Sequence, residues 1–211
     1  IVMDVRRVRD FGIGTYIRNL TRALSALDRE NQYTLIAHPG SQSEFSGLGS
    51  NFRILPHPGA DSGLEHNLQV PGYFQSLKAS LYHIPLNSVA WRMPRPYVVT
   101  IHDMSTLLFP ARRDFRNTLH EQRYRRGAVR AARIITVSNA TRRDIETVLH
   151  VPAGKISTIY SAPDPAFTGP DVDGELQCQI LDRYSISFPY ILYAGTIRVH
   201  KNVPRLVEAF A

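Results

Sequence analysis

Gly12 and Gly14 are the first residues of this chain whose type and spacing could bind a ligand. They follow a short apolar run over residues 1–5, broken only by Asp4, which is typical of the end of a buried parallel strand. Backbone N–H groups at such a turn, together with the N-terminus of the helix that follows, attract an anion or a polar sugar group. Glycine also serves tight turns that bind nothing, so the pattern leaves both interpretations open.

A second candidate is the pair His102-Asp103, which directly follows the strongly β-branched run 97–101. The carboxyl ends of strands in an open α/β sheet line its ligand crevice. A histidine there can donate or accept a hydrogen bond through either ring nitrogen, but such a pair can equally satisfy loop backbone. Asp4 is interpreted as a strand-end hydrogen-bonding partner.

A third candidate is a group of arginines between positions 112 and 133. Four of them are spaced three, four and three residues apart, which places them on one stripe of a predicted helix, with Tyr124, Ala128, Ala131 and Ala132 facing the core; the four are Arg123, Arg126, Arg130 and Arg133. A solvated helix face and contact with an anionic membrane surface are both consistent with this pattern. Nucleic acid fits less well, because no aromatic residues interleave with the arginines to stack on bases.

Strands alternate with helices along the chain, which predicts an α/β fold with a doubly wound, mostly parallel sheet. After the first strand, further strands are predicted over 33–38, 52–55, 81–84, 97–101, 134–137, 156–160 and 190–194. Helices are predicted from Gly12 (with Thr15 as N-cap), over 64–77, 117–133, 140–149 (capped by Ser138) and 175–184, and from 203 to 211.

Composition excludes several classes of protein. The 211 residues include one cysteine, Cys178, so no disulfide framework or zinc cluster is expected and a reducing compartment is favoured. No ligand spacing connects His38, His57, His66 and His83, so no metal site is expected. Neither a membrane-spanning run nor a signal peptide is apparent. The 25 Lys+Arg against 18 Asp+Glu, mostly arginine, allow anionic partners without choosing among them.

The predicted organisation has one domain over 1–160, a connector rich in Pro, Gly and Asp over 161–174, and the beginning of a second domain over 175–211. The chain starts without Met inside a strand and ends within a new βα unit. We therefore expect a few residues to be missing upstream and the second domain to be incomplete.

Four stretches in this order resemble the retaining glycosyltransferases of family four, which have the GT-B fold of two facing Rossmann-like domains. They are GIGTYIRNL from Gly12, TIHDMSTLLFP from Thr100, ARRIITVSNATRRDI from Ala131 and YILYAGTIRVHKNVPRLVEAF from Tyr190. The resemblance implies transfer of a sugar from a nucleotide-diphosphate sugar to a glycan or lipid-linked acceptor. The enzyme class implied is a hexosyltransferase of cell-surface polysaccharide synthesis.

The resemblance also implies roles for individual residues. Gly12 and Gly14 match the glycine loop that faces the donor diphosphate, and His102 matches a histidine at the transferred sugar, followed by Asp103. Lys201 matches a lysine that binds the donor phosphates. A second phosphate-binding arginine of relatives is replaced by Thr196 or His200, and Arg198 is the nearest substitute. The family's paired glutamates are expected beyond residue 211.

The resemblance implies no metal cofactor and a UDP- or GDP-sugar as donor, with GDP-mannose one candidate. It implies a cytoplasmic enzyme, peripheral at the inner face of the cytoplasmic membrane. The apolar side chains of the incomplete second domain would be left uncovered, so we expect self-association or contact with missing parts of the same protein. The chain as given is expected to be inactive by itself. The alternative from another class is a GT-B-like module that binds a sugar or a partner without turnover.

Overall fold

The computed structural model describes residues 1–57, 59, 63–86, 89–109, 115–164, 167–169, 173–197 and 199–210, without the side chains of 63–65, 115–120, 123 and 200. The chain divides into two compact units, Ile1–Asp164 and Pro165–Ala211. The division lies inside the predicted connector.

Unit 1 is built on a seven-stranded sheet that is parallel throughout. In chain order the strands are β1 (Val2–Asp4), β2 (Tyr33–Ala37), β3 (Phe52–Pro56), β4 (Tyr82–Ile84), β5 (Tyr97–Ile101), β6 (Arg133–Thr136) and β7 (Ile156–Thr158). Their order across the sheet is β3-β2-β1-β4-β5-β6-β7. This arrangement confirms the predicted α/β fold with a doubly wound parallel sheet.

Helices cover the sheet on both faces. They are α1 (Phe11–Leu27), α2 (Gly63–Ser76), α3 (Ser105–Leu108), α4 (Phe115–Arg130) and α5 (Asn139–Val148). Successive strand residues point to opposite faces, so Met3 and Leu35 join one core with Ile17 of α1. Val2 and Ile36 join the other core, to which α2, α4 and α5 contribute; their buried side chains include Phe74, Tyr124 and Ile145.

One detail of the predicted helices was right and two were wrong. Ser138 caps α5 by accepting a hydrogen bond from the Thr141 N–H at 3.1 Å. Thr15 is not an N-cap, because α1 already begins at Phe11, and the Thr15 hydroxyl instead donates to the Phe11 carbonyl. Ala132 is exposed rather than buried, because α4 ends at Arg130 and the helical spacing no longer applies beyond it.

Unit 2 contains α6 (Gly174–Arg183) and α7 (Val203–Phe210). The Asp173 carboxylate caps α6 by accepting from the Glu175 N–H at 3.1 Å. The strand predicted over 190–194 was wrong, since these residues form no regular structure. A strand needs a hydrogen-bonded neighbour, and every strand in the described part of the chain belongs to unit 1.

Candidate functional site

The sheet reverses its winding direction between β1 and β4. From β1 the chain adds β2 and β3 on one side, and it then crosses to add β4 through β7 on the other side. In open α/β sheets the ligand crevice lies outside the carboxyl ends of the two strands at this switch point. The residues that follow β1, β4 and β5 therefore define the candidate site.

The segment after β1 leads directly into α1. It forms its own turns, in which the Val8 N–H donates to the Val5 carbonyl and the Asp10 N–H to the Arg7 carbonyl, both at 3.0 Å. The first N–H groups of a helix have no acceptor within the helix. The positive end of the α1 dipole and these N–H groups are thus located at the switch point, where they favour a negative charge.

The two glycines of this segment have different surroundings. A Cβ on Gly14 would lie 2.2 Å from the Val8 carbonyl oxygen, so no other residue fits unless the loop moves. The same carbonyl accepts a hydrogen bond from Arg18 Nη1 at 2.7 Å, which holds the loop in place. Gly12 is exposed, and a Cβ there would meet nothing within 4 Å. Gly14 therefore serves packing, whereas Gly12 leaves room for a close approach from outside.

His102 follows β5 at the same edge of the sheet and is partly buried. Its Nε2 lies 3.2 Å from the carbonyl oxygen of Pro85, which follows β4. The Tyr16 ring of α1 meets the imidazole edge to face, with 4.8 Å between ring centroids and an interplanar angle of 87°. Burial lowers the pKa of His102, although the Pro85 carbonyl and the Asp103 charge oppose the shift. The structure thus brings together the ends of β4 and β5 and the first turns of α1.

The backbone of His102 and Asp103 is held from other elements. The Thr141 hydroxyl of α5 donates to the His102 carbonyl at 3.3 Å, and the Tyr124 hydroxyl of α4 donates to the Asp103 carbonyl at 3.0 Å. The exposed Asp103 carboxylate accepts from the N–H and the hydroxyl of Ser105, at 2.8 and 2.5 Å. Asp103 thereby organises the start of α3.

Three residues next to His102 were missed by sequence reasoning: Tyr16, His83 and Thr100. Thr100 is fully buried on β5, and its hydroxyl lies 3.3 Å from the Tyr16 hydroxyl and 2.9 Å from His83 Nε2. Burial lowers the pKa of His83 to about 4, with a smaller contribution from His102, so this imidazole is neutral at neutral pH. Thr100 lies on β5 and His102 directly after it, and their two-residue spacing was the available signal for this group.

Asp4 is the strand-end hydrogen-bonding partner that its position predicts. Its carboxylate receives two hydrogen bonds from the buried Arg6, from Nε at 2.8 Å and Nη2 at 2.7 Å. Arg6 also reaches the Gly59 carbonyl at 3.3 Å. A bidentate buried pair of this kind fixes the chain as it leaves β1.

The predicted phosphate-binding residues belong to unit 2. Lys201 is exposed in the 3₁₀ turn Val199–Lys201, just before α7. Arg198 lies outside the described residues, so nothing is added to its prediction.

The predicted arginine stripe is only partly a helical feature. Arg126 and Arg130 are exposed on α4, and the side chain of Arg123 lies outside the described part. Arg133 does not continue the stripe, because it begins β6 and its guanidinium donates to the Gly154 carbonyl. Arg126 and Arg130 instead border a shallow crevice, together with the exposed Trp91. The other residues that line this crevice are Val89, Ala90, Tyr97 and Gly127.

Two further findings concern the described residues alone. No group of three or more His, Cys, Asp or Glu side chains among them is placed to hold a metal ion. None of the described helices has the length and apolar character needed to cross a membrane.

Residues 12–167 match the sequence profile of Glycosyltransferase Family 4. This span is most of the chain and includes Gly12, Tyr16, His83 and His102. The chain therefore belongs to Glycosyltransferase Family 4. No curated protein matches its sequence.

The fold is similar to the crystal structure of a glycosyltransferase from Rickettsia africae ESF-5. The TM-score is 0.56 at 12% sequence identity, over 89% of this chain and 50% of the other. The chain thus spans half the length of that protein. At this identity the likeness shows the fold alone.

Proposed function

We propose that this chain is the acceptor-side domain, with the start of the donor-side domain, of a retaining hexosyltransferase. It would transfer a sugar from a nucleotide-diphosphate sugar, UDP- or GDP-linked, to a glycan or lipid-linked acceptor in cell-surface polysaccharide synthesis. The observation that carries the proposal is the position of His102 at the switch point, in contact with the helix whose open N-terminus carries Gly12.

In the proposed transfer, the groups that lower the barrier are those that stabilise the charge developing on the leaving diphosphate. Cleavage of the bond between the anomeric carbon and the diphosphate oxygen leaves negative charge on the diphosphate. Backbone N–H groups and the dipole at the start of α1 lower that barrier if they are aimed there beforehand. His102 contacts the transferred sugar.

Retention follows if the acceptor oxygen attacks the face from which the diphosphate leaves. The new bond joins the acceptor oxygen to the anomeric carbon, and the hydroxyl proton passes to the departing phosphate oxygen. This route needs no side chain as general base. Asp103 is the nearest carboxylate in sequence to His102, and its hydrogen bonds to Ser105 suit a positioning role rather than proton removal.

Donor binding tests this proposal. Isothermal titration with UDP- and GDP-sugars, GDP-mannose included, should show micromolar binding to a protein that carries this chain with a complete donor-side domain. The 211-residue chain alone should bind weakly or not at all, because the donor is held mostly by the second domain. Micromolar binding by the chain alone would contradict the assignment of donor binding to the second domain. Binding without any release of nucleotide would favour the alternative, a sugar-binding module without turnover.

The exposed apolar side chains of unit 2 support the expectation that another domain or chain covers them. Ile191, Leu192, Val207 and Phe210 are 62, 78, 62 and 63% exposed. Leaving such side chains in water costs about 25 cal/mol per Å². We propose that a more complete donor-side domain or a second copy of the chain covers them.

A second proposal concerns an anionic membrane surface, and a specific observation favours it. Trp91 is 47% exposed beside Arg126 and Arg130. Arg95 is exposed as well. Burial raises the pKa of Tyr97 to about 12, and the charges of Arg130, Arg95 and Arg126 oppose that shift. A tryptophan amid arginines suits the boundary between lipid headgroups and acyl chains. We call these four residues, Trp91, Arg95, Arg126 and Arg130, the Trp91 surface; it supports a peripheral enzyme at the inner face of the cytoplasmic membrane.

Vesicle sedimentation checks this second proposal. The R126A/R130A variant should bind anionic vesicles about 30-fold more weakly, since each basic residue contributes about 1 kcal/mol. Added salt should weaken wild-type binding, whereas W91A should remove the part that resists salt. The R22A/R29A variant is a matched control, because it removes two exposed arginines, one on α1 and one just after it, that line a different crevice from Trp91, Arg126 and Arg130. Equal binding to neutral and anionic vesicles, or an equal loss in the control, would refute the proposal.

A further inference from the structure

We propose that Tyr16 is a positioning residue for His102. Its ring, anchored to the sheet through Thr100 and His83, holds the imidazole in the orientation in which Nε2 faces the Pro85 carbonyl. The effect of Tyr16 on sugar transfer rests on the proposed function, whereas the geometry of its contact with His102 does not.

The Tyr16 ring is in direct contact with the His102 imidazole. Tyr16 lies one helical turn after Gly12 on α1, and its ring stands perpendicular to the imidazole at 4.8 Å between centroids. Edge-to-face pairs at this distance are attractive and depend on the angle between the rings. A rotation of the imidazole would lose both this contact and the Pro85 hydrogen bond.

Tyr16 is itself fixed by the sheet. Its hydroxyl lies 3.3 Å from Thr100 Oγ1, and that oxygen lies 2.9 Å from His83 Nε2. Thr100 and His83 are buried on the adjacent strands β5 and β4. Buried hydroxyl and imidazole groups need hydrogen-bond partners, so the chain of contacts from Tyr16 through Thr100 to His83 strongly favours one arrangement. The ring of Tyr16 is therefore held in place by two central strands, β4 and β5, as well as by its own helix.

The backbone of His102 is already secured. Thr141 holds the His102 carbonyl and Tyr124 holds the next carbonyl. The freedom that remains is rotation of the imidazole about its side-chain torsions. Pro85 fixes one nitrogen, because a carbonyl accepts only and Nε2 must donate to it. Tyr16 fixes the plane of the ring.

A merely structural role for Tyr16 predicts a different result. Its ring also borders the core under α1, so its loss should lower stability whatever it does for His102. A positioning residue acts through His102, so its effect on turnover should disappear when His102 is absent. A double-mutant cycle separates these two cases.

The kinetic experiment uses the protein with a complete donor-side domain and follows hydrolysis of UDP- and GDP-sugars. Y16L should lower kcat about tenfold with little change in KM, and Y16F, which keeps the ring but loses the Thr100 partner, should lower it less. The Y16L/H102A variant should equal H102A. An equal factor for Y16L with and without His102 would overturn the proposal.

The spectroscopic experiment needs no turnover and uses the 211-residue chain. Long-range ¹H–¹⁵N spectra of ring-labelled histidines, with His102 assigned by its loss in H102A, should show one neutral tautomer protonated on Nε2. Y16L should give a mixture of tautomers. Y33L, which removes a tyrosine stacked on Phe52 in another part of the sheet, should leave the His102 signals unchanged. Unchanged His102 signals in Y16L would overturn the proposal. If H102A leaves hydrolysis unchanged, the proposed function fails at this site, and the tautomer result still decides the role of Tyr16.

Discussion

Replacing His102 with alanine should lower turnover of the nucleotide-sugar by roughly two orders of magnitude in a protein with a complete donor-side domain. The imidazole is held at the switch point by Pro85 and Tyr16. The expected loss is this large because, in the proposed reaction, that imidazole stabilises the transition state at the sugar. Stability should change little, since the carbonyl contacts from Thr141 and Tyr124 involve backbone and survive the substitution.

His38→Ala is the matched control for this prediction. His38 also directly follows a parallel strand at the same sheet edge, but that strand is β2, three positions away from β5. Initial rates of UDP or GDP release should be normal in H38A and strongly reduced in H102A. Equal rates in H102A and wild type would leave His102 with a structural role only.

Replacing Gly14 with alanine should lower the free energy of unfolding by about 3 kcal/mol, the upper range for overpacking a well-filled site. The added methyl would lie 2.2 Å from the Val8 carbonyl oxygen and 2.8 Å from the Val8 carbonyl carbon. These are backbone atoms, and Arg18 holds that carbonyl from the other side. Relief would require the whole segment between β1 and α1 to move.

Gly12→Ala is the opposite case and serves as its control. Nothing lies within 4 Å of the added methyl, and alanine favours a helix over glycine by up to about 1 kcal/mol. G12A should therefore be as stable as wild type or slightly more stable in urea unfolding. It should still bind the donor roughly tenfold more weakly in the protein with a complete donor-side domain, because the methyl occupies the approach to the α1 N-terminus. Equal stability of G12A and G14A would contradict the packing interpretation.

The sheet could be predicted because its strands are encoded locally. The run 97–101 is β-branched at four of its five positions and forms β5 between the same residues, in register with β4 and β6. The α5 cap at Ser138 is equally local. The ends of helices are encoded less locally. The regular arginine spacing predicts a helix through Arg133, but α4 ends at Arg130 and Arg133 is the first residue of β6.

The surroundings of His102 could not be predicted, because they depend on strand order. Tyr16 and Thr100 are 84 residues apart in the chain, and they meet only because β1 and β4 are neighbours at the switch point. Likewise, the sequence of residues 190–194 favours a strand, but no neighbouring strand pairs with it in the described part of unit 2. The different roles of Gly12 and Gly14 depend on where the Val8 carbonyl lies, which their spacing does not encode.

The central claim is that this edge of the sheet holds the sugar of a retaining glycosyl transfer. The most direct measurement is rapid ¹H NMR of the sugar released from an α-linked UDP- or GDP-sugar by the protein with a complete donor-side domain, before the anomers equilibrate. The α-anomer should form first in the wild type, and H102A should form almost none in the same time. Release of the β-anomer, or undiminished release by H102A, would contradict it.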